Sequence, residues 1–418
     1  MANSLTLAVL LALLLMLALR QWLARRQIAH VLAHRDQVPS QFAHRIELAA
    51  HRKAADYTVA KTRFARFHLA LETVLLLGLT FGGGLQALHD FWSAHASGLT
   101  YGVALIFSVM LISAVLELPL SLYAQFGIEA RFGFNRMSYG LFFADLVKQT
   151  LLGAAIGAPL LYAVLWLMEG MGSRWWLYVW LLWCGFNLLI LFIYPTWIAP
   201  LFNKFSPLED NELKARIEAL LGRCGFAVAG LFVMDGSKRS NHGNAYFTGF
   251  GRNKRIVFFD TLLARLQPGE VEAVLAHELG HFKRRHIVKR IVLIFAATLA
   301  FLAVLGQLID QPAFYAGLGV EAQNTAIALI LFFLVAPLFT FPLTPLTSLL
   351  SRRHEYEADA YAAEQTSATD LAQALVKLYE DNAATLTPDP LHSLFYDSHP
   401  PAALRIAHLA QLSAPRSS

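Results

Sequence analysis

The chain has 418 residues, 56% of them hydrophobic and only 15% charged, with a mean hydropathy of +0.48. Soluble domains run at about 45–50% apolar and about 25% charged, so this composition excludes an ordinary soluble enzyme and describes an integral membrane protein. The net charge of +5 is no sign of nucleic-acid binding, because the basic residues fall beside apolar spans.

Seven apolar stretches are long enough, or nearly so, to cross a hydrocarbon core about 30 Å thick. They run approximately Leu5–Leu23, Leu69–Leu88, Tyr101–Ala124, Thr150–Met168, Trp175–Ala199, Val288–Ile309 and Thr325–Leu350. A cleaved signal peptide would carry positive charge before its apolar run. Here Met1–Ser4 is uncharged and Arg25 and Arg26 lie beyond the run, which reads as a retained first span. The connections His89–Thr100 and Asp310–Asn324 hold no Lys or Arg, and Glu169–Arg174 holds only Arg174. The connection after the first span and the segments Gln125–Lys148, Pro200–Ile287 and Ser351–Ser418 all hold several. Such alternation predicts an N-terminus outside and a C-terminus in the cytosol. Cys184 lies in an apolar span and Cys224 in a polar region, so neither a disulfide nor a C-x-x-C metal site is expected.

Pro200–Ile287 is the main polar insertion. A helix is expected from Pro207 through Leu221, amphipathic through Leu213, Ile217 and Leu220. Phe226–Met234 and Arg255–Phe259 have strand composition, separated by a Ser-, Asn- and Gly-rich segment, Gly236–Gly251.

The insertion ends in Ala273-Val-Leu-Ala-His-Glu-Leu-Gly-His281. On a helix, His277 and His281 share a face and can reach one metal ion. Glu278 is rotated by about a third of a turn, close enough to take a proton from a water activated there. Pro268-Gly-Glu270 is a helix start. Gly280 costs about 1 kcal/mol inside a helix, which suggests close packing against it. His286, nine residues past His277, is not expected to be a ligand.

A catalytic zinc needs three protein ligands and an open position. The third is sought in Arg353-His-Glu-Tyr-Glu-Ala-Asp-Ala360, directly after the seventh span. Glu355 and Asp359 share a helical face, whereas Glu357 and Glu364 fall about 200° and about 180° away. Glu357 is therefore expected to be a solvated surface acid. Ala358 and Ala362, on the Glu355 face, are small enough to approach Gly280.

The chain resembles the type I CaaX prenyl proteases, a family of integral-membrane zinc metalloendopeptidases. The resemblance is carried by Phe132-Gly-Phe-Asn135, Tyr194-Pro-Thr-Trp-Ile-Ala-Pro-Leu-Phe-Asn-Lys-Phe205, Asn244-Ala-Tyr-Phe247, Lys254-Arg-Ile-Val257 with Phe259-Asp-Thr-Leu262, His277–His281, Glu355-Tyr-Glu-Ala-Asp359 and Ser398-His-Pro-Pro401. It implies an all-α membrane protein whose seven transmembrane helices enclose a chamber, with a small cytosolic α+β zincin-type catalytic region. By the same resemblance His277, His281 and Glu355 hold one Zn2+ per chain, and Glu278 is the general base. Asp359 orients a histidine ligand, His399 faces the scissile carbonyl, Arg405 supports the site, and Asn244 holds substrate backbone.

The expected division is an N-terminal membrane domain, 1–199, with five spans, and a metallopeptidase domain, 200–418, containing the sixth and seventh. The partners implied are membrane lipid and a peptide or protein substrate entering the chamber, including C-terminal CaaX-type tails, with no nucleic acid. The location is the inner membrane of a bacterium or the endoplasmic reticulum of a eukaryote. Two other functions fit the sequence: a quality-control protease acting on membrane proteins, and a transporter or scaffold with a structural zinc. The latter would need a fourth protein ligand and no Glu278.

Overall fold

The computed structural model describes residues 4–209, 211–248 and 254–413. Most of it is helix, and the apolar stretches set the architecture. Helix α1 (Ser4–Ala33) packs along α2 (Leu48–Leu79), which is followed by α3 (Gly84–His95), α4 (Gly98–Leu122), α5 (Tyr139–Gly170) and α6 (Trp175–Ile193). After the polar insertion come α10 (His286–Leu308) and α12 (Thr325–Thr340), joined by the short α11 (Pro312–Gly317). Among the described residues six helical spans are long and apolar enough to cross a membrane, and α2 with α3 makes a seventh if the bent pair counts as one. Large apolar side chains such as Leu14, Leu111, Leu151, Val292 and Phe333 stand exposed on these helices, a surface suited to lipid.

The second span differs from the straight helix expected over Leu69–Leu88. The chain turns between α2 and α3, bending by 53°. Gly83 has φ +75°, and a Cβ on Gly82 or Gly84 would lie 2.8 or 2.7 Å from the Gly78 carbonyl oxygen. Only glycines allow that turn. The seventh span is also longer than its apolar run. A 3-10 segment, Phe341–Leu343, joins α12 to α13 (Thr344–Gln365), so the acidic segment continues the span itself.

The connections poor in Lys and Arg gather at one end. Thr6 Oγ1 donates to the Gly317 carbonyl at 2.9 Å, Glu321 N donates to Gln86 Oε1 at 3.0 Å, and Asn324 Nδ2 lies 3.1 Å from the Tyr101 hydroxyl.

At the opposite end the insertion folds into a small α+β region. Its elements are β1 (Phe205–Pro207), α7 (Glu212–Arg223), β2 (Gly230–Met234), β3 (Ala245–Thr248), β4 (Arg255–Phe259), the single turn α8 (Asp260–Leu263) and α9 (Pro268–Lys283). The sheet order is β1-β2-β4-β3, with only β2 and β4 parallel. Strand β2 begins four residues later than expected, and α7 starts at Glu212 and runs on to Arg223. Asp210, inside the expected helix start, and 249–251 of the polar segment lie outside the described residues. Helices α14 (Ala368–Asp381), α15 (Pro390–Tyr396) and α16 (Ala402–Ser413) complete the region. Ile217 and Leu220 of α7, Phe258 of β4, Leu275 and Leu279 of α9, and Leu371 of α14 share its core.

Candidate metal centre

Helix α9 starts on a capping box, with Gln267 N donating to Glu270 Oε2 at 2.7 Å and Pro268 in the first turn. Its buried face carries Val271, Val274, Leu275 and Leu279, which fixes the rotation of the two histidines. Helix α13 lies across it so closely that a Cβ on Gly280 would stand 3.0 Å from Ala358 Cα and 3.1 Å from the Ala358 carbonyl oxygen. The glycine and the alanine thus let two helix backbones meet where His277, His281 and Glu355 converge.

One donor atom from each of His277, His281 and Glu355 falls within 4.8 Å of the others. His277 Nε2 and His281 Nε2 are 3.2 Å apart, and each is about as close to a Glu355 oxygen, at 3.5 and 3.4 Å. Glu355 Oε2 is buried with no hydrogen-bond partner. Two imidazoles and one carboxylate aimed at a common point, with a buried carboxylate oxygen that has ion-pair contacts but no hydrogen bond, fit a zinc-type ion that keeps a coordination position open.

The outer sides of these groups are held as well. His277 Nδ1 lies 2.8 Å from Asp359 Oδ1, and Asp359 is fully buried. Arg405 of α16 grips both Asp359 oxygens at 2.7 Å and places Nη1 3.4 Å from Glu355 Oε2. Burial and the Arg405 guanidinium push the His277 imidazole down, but the bonds to Asp359 and Glu355 outweigh them and raise its pKa to about 9.

His281 is anchored differently, by two residues the sequence reading had set aside. Helix α9 stops at Lys283, Arg285 takes φ +57°, and α10 sets off in a new direction. His286, its first residue, folds back so that Nδ1 sits 3.0 Å from His281 Nδ1. His286 Nε2 in turn meets Glu357 Oε2 at 3.0 Å. Counted along one continuous helix His286 would point away from His277; the break at Arg285 brings it against His281 instead. Glu357 is also not simply solvated, since it pairs with His286 and with Arg353. The missed signal was the Arg284-Arg285 step, where the apolar period of α9 ends.

A cavity of about 500 Å³ opens at the centre. Glu278, His281, Glu355 and His399 line it, together with Tyr246 and Phe247 of β3. Glu278 is half-buried and makes no hydrogen bond or ion pair among the described residues. His399 Nε2 is 3.5 Å from Glu355 Oε1, and the side chain is exposed on its other side. Asn244 stands just before β3, outside the cavity lining, where its carbonyl oxygen accepts from Phe259 N at 3.0 Å. Among the described residues strand β3 pairs only with β4 and ends the sheet, so its other edge is open. The turn before β3 is tied to the membrane helices: His242 stacks on Phe134 at 4.5 Å, and Asn241 Nδ2 donates to the Gly133 carbonyl at 2.7 Å.

Two family descriptions match successive parts of the chain. Residues 27–204 match "CAAX prenyl protease N-terminal, five membrane helices", and residues 207–413 match peptidase family M48. The chain is 36% identical over 372 residues to a CAAX prenyl protease 1 homolog of Arabidopsis thaliana, covering 85% of this chain and 86% of that one. With CAAX prenyl protease 1 of Saccharomyces cerevisiae it shares 38% over 321 residues, 72% and 70% of the two chains. A crystal structure of Saccharomyces mikatae Ste24p superposes with a TM-score of 0.90 at 31% identity, covering 97% of this chain and 99% of that one.

Proposed function

The chain belongs to peptidase family M48, within the CAAX prenyl protease group, and is a multi-pass membrane metalloprotease; from that premise we propose that it binds one zinc ion per chain through His277, His281 and Glu355 and cleaves C-terminal CaaX-type tails. The observation that carries the assignment is the convergence of these three donors within 4.8 Å, with His281 and Glu355 on the wall of a cavity that β3 also lines. A zinc ion held there supplies Lewis acidity, polarising a scissile carbonyl and acidifying a water.

The remaining roles belong to the chain. An extended substrate adds to the open edge of β3, with Tyr246 and Phe247 against its side chains. Asn244 shapes the start of that edge, since its carbonyl holds β4. Glu278, unpartnered in the cavity wall, accepts the water's proton and returns it to the leaving amine. His399 donates toward the carbonyl oxygen as charge develops there. Asp359 and Arg405 fix His277 and Glu355 in place, so that neither ligand has to reorganise during turnover.

We further read 1–199 as a membrane domain and 200–418 as the peptidase domain. The N-terminus lies outside and the C-terminus in the cytosol, a topology supported by the gathering of the Lys/Arg-poor connections at the end remote from the centre. The purified protein, given prenylated and unprenylated peptides with and without a zinc chelator, tests the function. Expected is chelator-sensitive cleavage of the bond following the cysteine of a CaaX tail. Equal cleavage at scattered bonds in unrelated peptides would replace tail processing by general proteolysis.

A further inference from the structure

Arg290 has no role in the site described above, yet it lines the same cavity as Glu278, His281, Glu355 and His399. It lies one turn past His286 on α10, on the face that also presents Leu293 and Ile294 to the cavity. Its side chain is exposed and has no hydrogen bond or ion pair among the described residues. The acids of the cavity wall are Glu278 and Glu355, both at the centre; away from it the wall includes Leu293, Ile294, Thr347, Leu350, Ser351 and His354. Arg290 follows Lys289 in the first turns of α10, ahead of the apolar run, and it is the one arginine among the residues lining this cavity, so its guanidinium is free to meet an anionic ligand there.

We propose that Arg290 receives the C-terminal carboxylate of the substrate, and so sets cleavage a short, fixed distance from the chain end. This rests on the metalloprotease reading and deepens it by naming the feature of the substrate that is recognised. The geometry suits a short leaving segment. His286 touches His281, and Arg290 lies about 6 Å further along the helix. An extended segment advances about 3.3–3.6 Å per residue, so two or three residues beyond the scissile bond bring a terminal carboxylate within reach of the guanidinium. Its planar fork matches a carboxylate with two parallel hydrogen bonds, which neither a single ammonium nor a neutral amide reproduces.

The test uses pairs of peptides of one sequence, ending in a free carboxylate or in an amide, with the full-length protein in detergent. Wild type should cleave the carboxylate form with kcat/KM higher by about tenfold or more, chiefly through KM. In Arg290→Gln the ratio should fall toward one, and Arg290→Lys should keep part of it. Moving the carboxylate outward by three residues should abolish the preference in wild type. A wild type indifferent to the terminus overturns the proposal without any variant. A ratio preserved in Arg290→Gln overturns it too, as does an equal loss on both peptides, which would point to lipid contact. Chelator-sensitive cleavage of the amide peptide by wild type would leave the metalloprotease reading standing while Arg290 fails; chelator-insensitive cleavage of both peptides would sink that reading instead.

Discussion

His286 Nδ1 lies 3.0 Å from His281 Nδ1, while Nε2 of His281 faces the metal centre 3.2 Å from His277 Nε2. Only one of the two Nδ1 atoms can donate. For His281 to keep a lone pair on Nε2 for a metal, its Nδ1 must carry the proton, and His286 then accepts it and donates Nε2–H to Glu357. The tautomer that the proposed ligand role of His281 requires is thus one that His286, on another helix, can accept from.

His286→Ala should weaken zinc binding by about 10–100-fold, the usual effect of removing a ligand's outer hydrogen-bond partner. Glu357→Ala should weaken it less, since His286 remains. Competition with a metal-sensitive dye measures both. An unchanged affinity in His286→Ala would mean that this contact orders nothing.

Glu278 makes no contact that holds a ligand in place, so Glu278→Gln should bind zinc as wild type does and lose turnover by about 10² or more. His277→Ala should lose the metal itself. Metal content and peptide cleavage on the same preparations separate the two. Normal cleavage by Glu278→Gln would end the general-base assignment.

Reporter fusions address the topology. Those at Ala96 and Gln311 should report the outside, and those at Asp210 and the C-terminal end the cytosol. A cytosolic signal at Ala96 would break the seven-span arrangement and make α2 and α3 a re-entrant pair.

Much of this was legible in residue spacing. The His277–His281 pair, the Glu355–Asp359 face and the close approach at Gly280 all follow from helical periodicity, which is local and strong. The apolar spans were legible for the same reason. What periodicity missed sits where it is interrupted. The turn at Gly82–Gly84 hides inside an apolar run, because glycine scores as neutral in hydropathy while its left-handed conformation redirects the chain. The step at Arg285 is less visible still, since arginine has no preference for positive φ and tertiary packing imposes it. His286 and Glu357 could therefore not be placed beside His281 from the sequence. Composition alone hides strand β3 in a Ser-, Asn- and Gly-rich segment, since four residues flanked by Asn and Gly give too short an alternation to recognise; only the resemblance points to an edge strand there.

The contact between α9 and α13 makes a sharper demand. Glycine inside an exposed helix costs about 1 kcal/mol relative to alanine, so Gly280→Ala would stabilise a helix that had room for it. Here the added Cβ would stand 3.0 Å from Ala358 Cα, 3.1 Å from its carbonyl oxygen and 3.2 Å from Tyr361 Cβ. The first two are backbone atoms and cannot rotate away, so the helices must part. Overpacking of this kind costs about 1–3 kcal/mol. Because His277 and His281 stand on α9 and Glu355 on α13, parting them also loosens the ligand set. Gly280→Ala should therefore lower both the apo-protein Tm and the zinc affinity. Ala358→Gly should not rescue it, since the clash is with the backbone of residue 358 and not with its methyl group. Thermal unfolding of the single and double variants, with and without zinc, checks both statements. A higher Tm for Gly280→Ala, or full rescue by Ala358→Gly, would show that the two helices are not in backbone contact at this point.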